Sequence, residues 1–74
     1  MNLNDQAFLR ALGDRVRDRR TELKLTQQDF GDRCGLHRTF IGSVERGERN
    51  VSVLNLRQIA QALRIRTADL LAGL

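Results

Sequence analysis

The 74-residue chain has no proline, no tryptophan and no tyrosine, and it has one cysteine and one histidine. Without proline every residue keeps a backbone N–H for helical hydrogen bonding, and abundant leucine, alanine, arginine and glutamine favour helices over strands. A lone cysteine, Cys34, forms no internal disulfide, which removes the extracellular staple. No apolar run approaches the ~18 residues of a membrane span, and no signal-peptide pattern opens the chain. The expected location is the cytoplasm, with no membrane partner. His37 and Cys34 supply two ligands, too few to close a tetrahedral zinc site. One histidine without a supporting pattern makes no Ser-His-Asp or Cys-His-Asn set, and Asp29 and Asp32 have no partner chemistry in so small a bundle. The expectation is therefore no enzyme, metal, cofactor or small-molecule substrate.

What is present is arginine. Twelve arginines and one lysine give a net charge of +4, which points to an anionic partner, nucleic acid first. The guanidinium fork suits phosphates and guanine edges better than an ammonium does. A hydrophobic share of 41% is ordinary for a folded chain, and the length fits one domain, residues 1–74.

The patterning reads as five short helices. Asn4 or Asp5 can cap a first helix running to about Leu23, with Phe8, Leu12 and Val16 on its inner stripe, widened by Leu9 and Leu23. Arg10, Asp14, Arg15, Arg17 and Asp18 form its solvated face. Thr26 is a good N-cap for a second helix, with Asp29 at capping-box spacing and Gly35 as the stop. A third helix spans Arg38 to Arg46, with Phe40, Ile41 and Val44 inward, and ends at Gly47. Ser52 caps a fourth, with Val53, Leu56, Ile59, Ala60 and Leu63 at helical spacing. Thr67 caps a last helix, Ala68 to Ala72.

Residues 27–46 meet the requirements of a helix-turn-helix. Gly31 is the small residue where the second of the two helices crosses the first, and Gly35 tolerates a left-handed turn. Leu36 can plug the angle between the helices, while Phe30, Ile41 and Val44 face the core. All four requirements fall within twenty residues.

On these residues the chain resembles a known family. "LTQQDFGDRCGLHRTFIGSVERGERNVS" is similar to the lambda-repressor-like helix-turn-helix domains of bacterial and phage regulators, and the likeness runs from about Leu12 to Leu71. More narrowly, "GLHRTFIGSVERGERNVSVLNLRQIAQAL" resembles the controller proteins of restriction-modification systems. The implied fold is all-α, a five-helix lambda-repressor-like domain with the helix-turn-helix at helices 2 and 3. Arg19 and Leu23 depart from the family, which more commonly has an apolar and a polar residue there.

In this architecture the third helix lies in the major groove with its N-terminal part against base edges. Arg38, Thr39, Ser43 and Arg46 are then the expected base contacts, with Gly42 keeping the surface low. Gln27 opens the second helix, where N–H groups and the dipole favour an anion. Gln27, Gln28, Arg17, His37, Arg49, Asn50 and Ser52 are the expected phosphate contacts, although Ser52 also serves as a helix cap. The resemblance further implies a structural ion pair between Arg20 and Glu45.

One helix-turn-helix reads only a few base pairs, so a two-fold dimer is expected. With no second domain in the chain, residues from about 51 to 74 must supply the interface, and Val51, Val53, Leu54, Ile65, Leu71 and Leu74 are its candidates. Asp29 and Asp32 stand in a segment with no base, residues 26–32. Family activators make that acidic patch a candidate contact for RNA polymerase; helix-dipole stabilisation is the plainer account of Asp29.

The expectation is a transcriptional regulator of a restriction-modification system that binds a pseudo-palindromic double-stranded DNA operator as a homodimer; the resemblance implies that it activates and represses its own and the endonuclease gene. A phage-type repressor, an antitoxin, and a protein-binding adaptor on the same fold are the alternatives.

Overall fold

The computed structural model describes residues 3–74, and within them five helices follow one another with no strand. They are α1 (Leu3–Glu22), α2 (Gln27–Cys34), α3 (Arg38–Glu45), α4 (Val53–Ala62) and α5 (Thr67–Leu71). No helix among the described residues is long and apolar enough to cross a membrane.

The ends of these helices follow local chemistry. α1 is already under way at Leu3, so Asn4 and Asp5 lie inside its first turn and do not cap it. Its far end closes at Lys24, whose φ of 59° turns the chain toward α2. At α2 the capping box is complete: the Asp29 N–H donates to Thr26 Oγ1 at 3.0 Å, and the Thr26 N–H to Asp29 Oδ2 at 3.3 Å. Gly35 ends α2 at φ 71°, a left-handed conformation glycine adopts without steric penalty. His37 caps α3, its ring Nδ1 accepting from the Thr39 N–H at 3.0 Å, and Ser52 Oγ accepts from the Asn55 N–H at 3.1 Å to cap α4. The cap of α5 is Arg66, one residue earlier than the expected Thr67: the Asp69 carboxylate reaches back to the Arg66 N–H at 3.3 Å.

The core collects Leu12 and Val16 of α1, Phe30 and Cys34 of α2, Ile41 and Val44 of α3, Leu56, Ile59 and Ala60 of α4, and Leu25, Leu63 and Leu70 beside them. α3 packs on both α1 and α2, α4 on α2, and α5 bridges α4 and α1. Where α1 crosses α3, a Cβ on Gly13 would sit 2.4 Å from the Val44 carbonyl oxygen, so the two backbones meet through that residue. Two expected core positions lie outside. Phe8 is 42% exposed, because the buried residues of α1 begin only at Leu12, and Val53 is 77% exposed in the first turn of α4.

Two arginines fasten the C-terminal helices to α1. Arg15 Nη1 donates to the carbonyls of Asp69 and Leu70, each at 3.3 Å, and to that of Ala72. Arg19 Nε donates to the Leu63 carbonyl at 3.0 Å. Those acceptors are the unpaired carbonyls that every helix end leaves behind. Arg15, expected on a solvated face, is therefore a structural anchor. Arg19 joins α1 to the end of α4.

Candidate nucleic-acid interface

α3 is held on two sides and free on a third. Ile41 and Val44 are 0% and 2% exposed and fix its depth; Phe40 is half-buried against the same core. Arg38 and Thr39 lie exposed at its N-terminal end, beside the exposed cap His37. The groups expected to meet bases thus stand where a helix entering the major groove presents its first turn.

α2 brings a second polar group to this face. Gln27, its first residue, is exposed, and its Nε2 donates to Glu45 Oε1 at 3.1 Å. Glu45 in turn accepts from Arg20, Nε to Oε2 at 2.6 Å and Nη2 to Oε1 at 2.9 Å. That hydrogen bond raises Arg20 above its ordinary value against the opposing effect of burial. Arg20 also donates to the Leu25 carbonyl at 2.8 Å. One buried carboxylate therefore joins α1, α2 and α3 and fixes the orientation of the Gln27 amide. Gly42 leaves a notch between α2 and α3, with Arg46 Nη1 and the Gln27 amide at its rim.

Ser43 lies apart from the other expected base contacts. It is 8% exposed, and its hydroxyl donates to the Phe40 carbonyl at 2.7 Å while accepting from Arg49 Nε at 3.2 Å. The chain doubles back at Gly47 and lays Arg49 over Ser43 and over the Phe40 ring, 5.1 Å from its centroid. The Ser43 side chain thus lies under that loop, where it holds Arg49, and not on the open face with Arg38 and Thr39. Nothing in the helical spacing of α3 marked this, because the cover comes from beyond the helix.

The other expected contacts divide by surroundings. Arg46, the C-cap of α3, is exposed and pairs with Glu48, Nε to Oε2 at 3.0 Å. Arg49 and Asn50 are exposed on the returning loop. Arg17 is exposed on α1 and hydrogen-bonded to Asp14 at 3.1 Å. Gln28 turns its amide to Asp32 Oδ1 at 2.9 Å, and Asp29 is engaged in the α2 cap, so both acids are exposed but partnered. Ser52 is occupied as an acceptor by its helix.

The candidate interface residues of the C-terminal half separate as well. Val51 and Ile65 pack against this chain's own core. Ile65 and Leu74 share a cleft with Arg15 and Arg19, whereas Leu54, 69% exposed, lines a groove along α4 with Arg57, Gln58 and Gln61. Leu71 is 37% exposed. No cluster of metal-ligating side chains occurs among the described residues. The Cys34 thiol is buried, and burial pushes it up to about 11, away from reactivity.

A capped helix pair with a left-handed glycine turn and an exposed, arginine-bearing second helix defines a class of nucleic-acid-reading module, and the family comparison agrees. The profile of the helix-turn-helix family matches residues 16–70, and the chain belongs to that family of DNA-binding transcription regulators, not to an enzyme family. Control protein C.BamHI of Bacillus amyloliquefaciens is 42% identical over 60 residues, 80% of this chain and 74% of that one. Control protein C.SmaI of Serratia marcescens is 45% identical over 60 residues, 81% and 71% of the two chains. The crystal structure of the restriction-modification controller protein C.AhdI from Aeromonas hydrophila superposes with a TM-score of 0.84 at 42% identity, covering 86% of this chain and 97% of that one.

Proposed function

We propose that the chain is the controller protein of a restriction-modification system, acting in the cytoplasm as a homodimer on a pseudo-palindromic operator. Residues 1–74 form one DNA-binding domain, residues 27–46 read the DNA, and residues from about 51 to 74 carry the dimer contact. The observation that carries the reading is the exposed Arg38–Thr39 start of α3, on a helix anchored by Ile41 and Val44, in a chain up to 45% identical to curated control proteins.

Arg38 donates two hydrogen bonds to guanine O6 and N7, a pairing worth about 1–3 kcal/mol of discrimination. Thr39 bonds a phosphate or touches a thymine methyl. Arg46 completes the base-facing set, while Gln27, Arg17, His37, Arg49 and Asn50 position the duplex through phosphates. Gln28, whose amide meets Asp32, and Ser52, the cap of α4, add further phosphate contacts. The exposed Val53 and Leu54, with Leu71 at the end of α5 and Leu74 beyond it, supply the apolar part of the two-fold contact. Asp29 and Asp32 face outward from α2 as the surface for RNA polymerase when the operator lies beside a promoter. Low occupancy activates the chain's own gene and the endonuclease gene, and higher occupancy represses.

Footprinting on the DNA upstream of its own gene tests this. Two protected half-sites centred about 34 Å apart, one helical turn, are expected. Protection of a single half-site by a protein that sediments as a monomer would overturn the homodimer. No protection at any salt concentration would overturn the regulator itself.

A further inference from the structure

Glu48 puts a negative charge beside an expected DNA contact. The bend at Gly47 returns the chain so that Glu48 meets Arg46 at 3.0 Å, and the backbone there is held by the Glu48 N–H donating to the Ser43 carbonyl at 2.9 Å. Both side chains are more than half exposed. The hydrogen bond from Arg46 holds the Glu48 carboxyl below its ordinary value, so it is ionised at neutral pH. The contact uses the Arg46 Nε, while Nη1 lies over the Gly42 notch beside Gln27. The pair and Arg10 line one groove.

A phosphate and a base edge sense this pair differently. Non-specific binding is carried almost wholly by net charge against the phosphate backbone. Base reading is carried by directional donors, and the Nη pair of an arginine fits guanine O6 and N7. A carboxylate on Nε cancels the charge and keeps that donor pair. It also adds a like-charge penalty wherever a phosphate approaches the pair.

We propose that Glu48 is a specificity-determining residue: it suppresses Arg46 as a general phosphate binder while leaving its Nη donors for a base edge, and so weakens binding to random DNA more than to the operator. The proposal rests on the reading of Arg46 as a base contact of a DNA-binding regulator.

The experiment measures binding of the full chain to two duplexes, the footprinted upstream sequence and a random sequence of equal length, between about 50 and 200 mM salt. Glu48→Gln is expected to tighten the random duplex by about five- to tenfold and the upstream duplex by no more than about twofold, while steepening the random-duplex salt slope by about one phosphate contact. In an Arg46→Gln background the same substitution should leave the ratio of the two affinities unchanged. Equal tightening of both duplexes overturns the proposal, as does a change in ratio that persists without Arg46. Wild-type protein that binds neither duplex overturns the regulator reading, and this proposal with it. Equal thermal midpoints for wild type and Glu48→Gln keep folding out of the comparison, as its exposed position leads one to expect.

Discussion

Glu45 accepts from Arg20 through both carboxylate oxygens, and its side chain is 3% exposed against 12% for Arg20. A buried pair of this kind is worth little against an apolar replacement, but removing one partner strands the other charge. Glu45→Ala should therefore cost about 3–5 kcal/mol in urea unfolding. Its loss also frees the Gln27 amide, so the phosphate contact proposed for the start of α2 should loosen in those molecules that still fold. A loss below about 1 kcal/mol, the range of an exposed pair, would refute the anchor role.

Arg38→Ala separates base reading from backbone binding. Replacing one guanine of the half-site should cost wild type about 1–3 kcal/mol and cost the variant almost nothing. If the variant instead binds every sequence more weakly by the same factor, Arg38 is a phosphate contact.

Gly13→Ala sets helix propensity against packing. Alanine gains up to about 1 kcal/mol over glycine in an exposed helix. Here the new Cβ would fall 2.4 Å from the Val44 carbonyl oxygen and 2.6 Å from that of Glu45, so α1 and α3 must part. A net loss of about 1–3 kcal/mol is expected by chemical denaturation, since overpacking outweighs propensity. A stabilised variant would contradict the close crossing.

Cys34 makes stability fall in alkali. Burial lifts its thiol from 9.0 to about 11, so the folded state holds the proton more tightly than the unfolded chain does. The contribution is complete below about pH 9 and is lost as pH rises toward 11. Urea midpoints between those values should fall less steeply in Cys34→Ala than in wild type. Native protein should also react with a thiol reagent far more slowly than unfolded protein, and equal rates would place the thiol at the surface.

Much of this arrangement was legible in the residues. Thr26 with Asp29, Gly35, and Ser52 announce their caps because capping depends on neighbours within four positions. The positions of Ile41 and Val44 followed from period alone. The limits of such reading show at Ser43, Arg15 and Phe8. Ser43 has the spacing of an outward residue, yet the loop after Gly47 folds Arg49 across it. Arg15 sits on a polar stripe, yet its guanidinium serves carbonyls more than fifty residues away in sequence. Phe8 continues the apolar stripe, yet the buried part of α1 starts four residues later.

By itself the sequence determined the helices, the turn that joins α2 to α3, and the face of α3 that must be buried, because each depends on short-range hydrogen bonding and on the helical period. Tertiary structure decided which polar residues meet one another. Arg20, Gln27, Ser43 and Arg49 each bond a partner at least six positions away. No local pattern encodes such a meeting, since the loop at Gly47 and the crossing at Gly13 bring the partners together only once the helices have packed.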